Sequence, residues 1–173
     1  LIDLMCGSGT FLIEGVSNSL NIPSFKKNYL FQNWFDFNES IFNKEIVKIQ
    51  NFNFIKNTAP KQNFSKVIGC EIDKEVFLQA QNNIYLSGLS KYIEIYNKDF
   101  SDFRIDSKPG IIVCNPPYGK KLGEENHLID LYLQIGTYLK NNFSGWEFWL
   151  LSGNQLLTRY LKMKASLKVP VSN

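Results

Sequence analysis

The chain has 173 residues, of which 44% are hydrophobic and 20% charged, the composition of one soluble globular domain large enough to bury a core. No apolar run approaches the roughly 18 residues of a membrane span, and the first residues, LIDLMCGSGT, lack the basic start and cleavage site of a signal peptide, so the expected compartment is the cytoplasm. Nineteen Lys and Arg against sixteen Asp and Glu leave a net charge of +3, which permits nucleic acid as a partner without demanding it.

In chain order, LIDLM predicts a short strand, GSGT a glycine turn, and TFLIEGVSNSL a helix with Thr10 placed to cap it. Residues 21–65 are polar and aromatic. They carry one predicted helix, SIFNKEIVKIQNF, in which Ile41, Phe42, Ile46 and Ile49 recur at helical spacing. This stretch reads as a lengthened crossover or insertion, not as a separate domain. KVIGCEID then predicts a strand, KEVFLQAQNNIYLSG a helix ending at Gly88, and IEIYNKDF and GIIVCN two more strands. The pair Pro116-Pro117 stops the last of these, because proline has no backbone N–H and a fixed φ. HLIDLYLQIGTYLKNNF is an amphipathic helix and WEFWLLSG a further strand. Strands separated by helices predict an α/β fold with a mostly parallel sheet and helices on both faces. Cys6, Cys70 and Cys114 are odd in number, far apart and without C-x-x-C spacing. Neither a disulfide framework nor a zinc site is indicated, and they read as reduced, buried thiols. After Glu147 there is no acidic residue, while Arg159, Lys162, Lys164 and Lys168 fall in the final stretch; this is either a solvated face or a phosphate-contacting patch.

Ligands of such sheets sit outside the carboxyl ends of the strands. The residues at those ends form a coherent set: Asp3 and CGSG, Glu71 and Asp73, Asp99 and Phe100, and Asn115 to Tyr118. A dinucleotide does not fit, since the G-x-G-x-x-G pattern would need glycine where Leu12 stands, and no phosphate-binding G-x-x-x-x-G-K-[ST] follows a strand. A nucleoside without phosphates fits better. Glu71 can accept from two ribose hydroxyls and Asp99 from an adenine amino group, while Gly7 and Gly9 let a zwitterionic tail approach the backbone. The expected cofactor is S-adenosylmethionine.

DLMCGSGTFLIEG, GCEIDKEVFLQAQNN, NKDF and NPPYGKKLGEENHLIDLYLQIGTYLK resemble the catalytic domain of the THUMP-associated RNA methyltransferases, once catalogued as N6-adenine-type methylases. The nearest branch is the bacterial enzyme that methylates the exocyclic amino group of guanine in large-subunit ribosomal RNA. The resemblance covers nearly the whole chain outside residues 21–65. It implies a Rossmann-like class I S-adenosylmethionine-dependent methyltransferase fold. It also implies that the loop with Asp3, Cys6, Gly7, Ser8, Gly9 and Thr10 holds the methionine moiety. Glu71, with Ile72 and Asp73 beside it, would hold the ribose, Asp99 and Phe100 the adenine, and Asn115, Pro116, Pro117 and Tyr118 would face the target base, with Asn115 also among the cofactor contacts. Which of Glu71 and Asp73 holds the ribose stays open. Relatives carry a segment before the first strand, an RNA-binding THUMP domain and a final strand after the point where VPVSN ends this chain. Residues 1–173 are therefore expected to be the catalytic domain of a longer protein, with part of the affinity for ribosomal RNA elsewhere.

The chemistry of Asn-Pro-Pro-Tyr follows from its target. The lone pair of an exocyclic amine is delocalised into the ring, and orienting it at the methyl group promotes attack. The Asn115 side-chain oxygen and the Pro116 carbonyl can each accept one N–H, the prolines stiffen the loop, and Tyr118 can stack on a flipped base. A sulfonium needs neither a metal nor a strong base, so His127, the sole histidine, is not expected to be catalytic. DNA adenine methylation and protein glutamine methylation use similar clamps and remain alternatives. A non-catalytic binding module would be expected to break the clamp or the ribose acid.

Overall fold

The computed structural model describes residues 1–20, 22, 29–56, 66–119 and 125–170. Five strands, β1 (Ile2–Asp3), β2 (Val67–Glu71), β3 (Ile93–Asn97), β4 (Ile111–Cys114) and β5 (Glu147–Leu150), form one sheet in the order β3-β2-β1-β4-β5. Every pairing is parallel, and the register sets Asp3 beside Gly69 and Val113, Glu71 beside Asn97, and Cys114 beside Leu150. Parallel strands covered on both faces read as continuous apolar runs rather than alternating ones. Val67, Ile68, Gly69 and Cys70 are accordingly all buried.

Helices α1 (Thr10–Ser19) and α3 (Lys74–Leu86) cover one face. Leu12, Val16 and Ile84 pack there against Cys6, Val67 and Ile93. Helix α4 (Glu125–Asn142) covers the other, with Tyr132, Ile135, Tyr138 and Leu139 repeating on one side of the helix and buried against Ile68, Cys70, Ile112 and Cys114. Truncating one such residue, for example Ile135→Ala, should cost about 2–5 kcal/mol through lost burial and the cavity left behind. A short helix, α5 (Gln155–Thr158), and a 3₁₀ turn, Arg159–Leu161, seat Leu157 and Leu161 on the same cluster. The sequence patterns did not predict either element, nor the 3₁₀ turns Leu30–Asn33 and Phe100–Asp102.

Two expectations need correction. Thr10 does not cap α1. Gly9 does, in the left-handed conformation at φ 84° that glycine adopts without steric cost, and Thr10 becomes the first helical residue, with its hydroxyl 3.2 Å from Ser8 Oγ. In the long connection, the predicted helix is present as α2 (Glu39–Lys56), but its apolar stripe does not all face inward. Phe42 packs on Tyr29, Phe31 and Phe37, whereas Ile41 is 61% exposed; the Ile49 side chain lies outside the described residues. The LIDLM strand is only two residues long in the sheet. Among the described residues no helix is long and apolar enough to cross a membrane.

With β1 flanked by β2 and β4, and their connecting helices on opposite faces, the sheet has its topological switch between the carboxyl ends of β1 and β4.

Candidate active site

The turn after β1 is fastened to its neighbours by three bonds from distant parts of the chain. The Cys6 amide donates to the Cys70 carbonyl at 2.9 Å, the Gly7 amide donates to Glu71 Oε2 at 2.9 Å, and Asn83 Nδ2 of α3 donates to the Ser8 carbonyl at 3.0 Å. Within the turn the Gly9 amide donates to the Cys6 carbonyl at 2.8 Å. Gly7 adopts φ 53°, and a Cβ placed on it would meet nothing within 4 Å. The backbone there faces open space.

Glu71 stands at the centre of this rim. Its Oε1 accepts from the Asp73 amide at 2.9 Å, so each oxygen holds one backbone N–H and keeps a lone pair for a ligand. Asp73 has a different occupation: its Oδ1 caps α3, accepting from the Glu75 and Val76 amides at 2.8 and 3.0 Å. Between the two acids, Ile72 projects an apolar side chain that is 66% exposed. Asn97, at the end of β3, donates from Nδ2 to the carbonyls of Glu71 and Ile72 at 2.9 and 3.0 Å and so fixes the segment from the next strand.

Asp3 is the one buried charged residue among those described, at 1% exposure. Among the described residues its carboxylate accepts a single hydrogen bond, from the Met5 amide at 3.2 Å. Burial pushes its pKa from 3.8 up to about 7; the Met5 bond opposes the rise and the nearby Glu71 charge adds to it. A buried, under-satisfied carboxyl group at the mouth of a glycine turn is a site for a cationic or hydrogen-bond-donating ligand group.

Asp99 uses Oδ1 to cap the turn Phe100–Asp102, accepting from the Ser101 amide at 2.8 Å, and keeps Oδ2 available. The Phe100 ring faces away from the rim into the core, edge-on to Tyr138 with centroids 5.3 Å apart. What Phe100 can present to a ligand is its backbone. Burial also pushes the Cys6 and Cys70 thiols up to about 12, which keeps them protonated and makes them packing groups.

Across the switch point, β4 ends at the proline pair. Pro116 is fully buried, Pro117 and Asn115 are exposed, and the Asn115 amide makes no side-chain hydrogen bond among the described residues. The half-buried Tyr118 ring rests on the loop after β5, where a Cβ on Gly153 would come within 3.0 Å of it. Beneath, the buried Tyr132 hydroxyl lies 3.3 Å from Ser152 Oγ, which also bonds the Asn154 backbone. The GKKLG continuation lies outside the described residues beyond Gly119. His127 is exposed on α4.

A glycine turn, the strand-end acid Glu71 and the Asn-Pro-Pro-Tyr run thus share one edge. Over residues 1–173 the chain matches the family model UPF0020, described as the RMKL-like methyltransferase domain. The chain belongs to that family. Among curated relatives of this methyltransferase domain, a Synechocystis sp. protein named as a candidate RNA methyltransferase is 35% identical over the whole chain, which covers 44% of that protein. A Marinomonas sp. protein named ribosomal RNA large subunit methyltransferase K/L is 31% identical over 100% of the chain and 24% of its own length. The chain therefore spans less than half of these relatives. A crystal structure of a candidate methylase from Clostridium difficile 630 superposes with a TM-score of 0.78 at 26% identity, over 96% of this chain and 42% of that one. The fold is that of the S-adenosylmethionine-dependent methyltransferases.

Four supporting residues of this RMKL-like domain escaped the sequence: Asn83, Asn97, Tyr132 and Gly153. Asn97 carried a faint signal, a polar residue at a strand end, but its partners Glu71 and Ile72 lie at and just past the end of a different strand. Gly153 appeared only as the end of WEFWLLSG.

Proposed function

We propose that this domain methylates the exocyclic amino group of a guanine in large-subunit ribosomal RNA, with S-adenosylmethionine as the methyl donor. The observation that carries the reading is the pairing, across the β1/β4 switch point, of the turn anchored by Glu71 with the exposed Asn115 amide and Tyr118 ring. The names of the curated relatives support RNA as the substrate class, and that of the Marinomonas sp. protein supports large-subunit ribosomal RNA.

The residues present fit the cofactor. The under-satisfied Asp3 carboxylate takes the aminium end of the methionine tail along the open backbone at Gly7, with Cys6, Ser8, Gly9 and Thr10 shaping the turn. Glu71 accepts from the ribose hydroxyls, because Asp73 is committed to capping α3. The exposed Ile72 side chain flanks the adenine, and Asp99 Oδ2 accepts from its amino group. When bound, S-adenosylmethionine supplies a methyl group activated on a sulfonium. Asn115 and the Pro116 carbonyl accept the two N–H groups of the target amine and aim its lone pair; the buried Pro116 and rigid Pro117 keep both acceptors from relaxing. Tyr118 stacks on the flipped base, a contact worth about 1–3 kcal/mol. The amine nitrogen would form the new N–C bond as the sulfur–methyl bond of the donor breaks, the sulfonium leaving as the neutral thioether S-adenosylhomocysteine and the amine releasing one proton to solvent.

Residues 1–173 act as one catalytic domain in the cytoplasm, with an RNA-binding THUMP module of the same protein supplying part of the RNA affinity; the small net charge of +3 supports such a division. Nucleoside mass spectrometry of ribosomal RNA from cells with and without the full-length protein tests the function. Loss of one methylguanosine species is expected. Loss of methyladenosine from DNA, or of methylglutamine from a protein, would reassign the acceptor, and no change in any of the three would leave a cofactor-fold binding module.

A further inference from the structure

Charge along the site edge runs from one sign to the other. Following the sheet order, β3 is followed by Asp99 and Asp102, β2 ends in Glu71 and Asp73, β1 in Asp3, and β4 in the uncharged Asn115 to Tyr118. Three cations share this half, Lys74 beside Asp73, Lys98 5.1 Å from the Tyr96 ring, and Arg104, which donates to the Ser101 and Phe103 carbonyls, and the acids outnumber them. After β5 the sign reverses. Arg159, Lys162, Lys164 and Lys168 follow one another with no acidic residue among them, and none of the four forms an ion pair among the described residues.

This basic segment is held in place. Its root is Gly153, the seat of Tyr118, followed by Asn154, whose Oδ1 caps α5 by accepting from the Leu156 and Leu157 amides at 3.0 and 3.4 Å. Leu157 and Leu161 are buried against α4, and the Leu161 carbonyl fits over Gly136 so closely that a Cβ there would lie 2.1 Å from its oxygen. Lys162 then turns the chain at φ 51°, the one non-glycine residue with positive φ among those described. From there to residue 170 the chain is exposed, with Leu167 and Val169 interleaved among the cations and Tyr160 exposed between Arg159 and Lys162. An unneutralised cationic run mixed with one exposed ring and apolar groups complements a polyanion that also offers base faces.

We infer that the RNA strand carrying the target base crosses the β5 side of the edge, its phosphates on Arg159, Lys162, Lys164 and Lys168, and enters the Asn115–Tyr118 clamp from the side opposite the cofactor. The inference rests on the RNA-methyltransferase reading and adds the direction and surface of approach. The acidic half accommodates the cationic cofactor and repels phosphate, so the two substrates reach the switch point without competing for the same charge.

The test is the salt dependence of binding to a fluorescent single-stranded RNA oligonucleotide by the full chain. It compares the parent, Lys164→Ala/Lys168→Ala, and Lys108→Ala/Lys140→Ala, whose positions before β4 and β5 lie at the opposite edge of the sheet. Each lost phosphate contact lowers the slope of log K against log salt by about 0.7 on a single strand, so the first pair should lose about 1.4 and the second nothing. S-adenosylmethionine affinity, measured by calorimetry, should be unchanged in both. An unchanged slope for Lys164→Ala/Lys168→Ala beside normal RNA binding by the parent overturns the inference and leaves the reading standing. Equal losses from the two edges also overturn it, as does tighter capture of phosphatidylserine vesicles than of RNA through these lysines. A parent chain that binds no RNA at any salt overturns the inference and the RNA reading together.

Discussion

Asp3 couples stability to pH in a direction that can be measured. Its pKa rises from 3.8 to about 7, chiefly through burial. Between those values the folded chain holds a proton that the unfolded chain has released, so folding stability falls as pH rises through this window. The penalty is absent below 3.8 and complete above about 7. At 1.36 kcal/mol per decade it reaches about 4 kcal/mol, a large part of a typical 5–15 kcal/mol stability. Asp3→Asn removes the titration while keeping the shape. Urea unfolding followed by circular dichroism should show the variant gaining on the parent by up to about 4 kcal/mol as pH is raised from about 4 to about 8. A cationic ligand group at Asp3 favours its ionised form. S-adenosylmethionine binding should therefore release a proton below about pH 7, and affinity should fall by up to about tenfold per unit further down. Calorimetry in buffers of different ionisation enthalpy detects that proton. Parallel stability profiles for parent and variant, or binding without proton release, would refute the reasoning.

Asn115→Ala should lower single-turnover methylation by orders of magnitude with cofactor affinity nearly intact, because the amide acts mainly on the transition state; near-normal turnover would make the proline pair a structural stop only. Gly153→Ala places a methyl group 3.0 Å from the Tyr118 ring, so the ring must shift. The expected result is a severalfold rise in the RNA concentration needed for half-maximal rate with unchanged cofactor affinity, read from steady-state kinetics, and an unaltered value would mean that Tyr118 does not depend on this seat.

The edge of the site was legible because it is written locally. Apolar runs mark β2 and β4, glycines mark the turn after β1, and a proline pair cannot continue a strand, so the residues at the carboxyl ends could be named before their neighbours were known. The supports were not, since Asn83 and Glu71 meet the glycine turn across sequence separations of 75 and 64 residues. The choice between Glu71 and Asp73 needed the backbone amides that each carboxylate accepts. Thr10 has the chemistry of a cap, but the left-handed turn at Gly9 moves the helix start by one residue. The stripe over α2 has helical spacing, yet Phe42 is satisfied by aromatic neighbours within the long connection, and Ile41 is left in solvent.

The three distant bonds that fasten the glycine turn also govern when it can form. Cys6, Gly7 and Ser8 leave the ribosome before their partners Cys70, Glu71 and Asn83, which follow only after the whole connection between α1 and β2. Closing that connection carries an entropy that grows only as the logarithm of its length, about 0.6 kcal/mol per doubling. A long insertion at this point therefore costs the finished domain little stability, whereas the high sequence separation of these contacts slows their formation. Binding competence is thus a late event in folding, and a nascent chain that has not yet emitted α3 has no fastened turn with which to sequester cofactor.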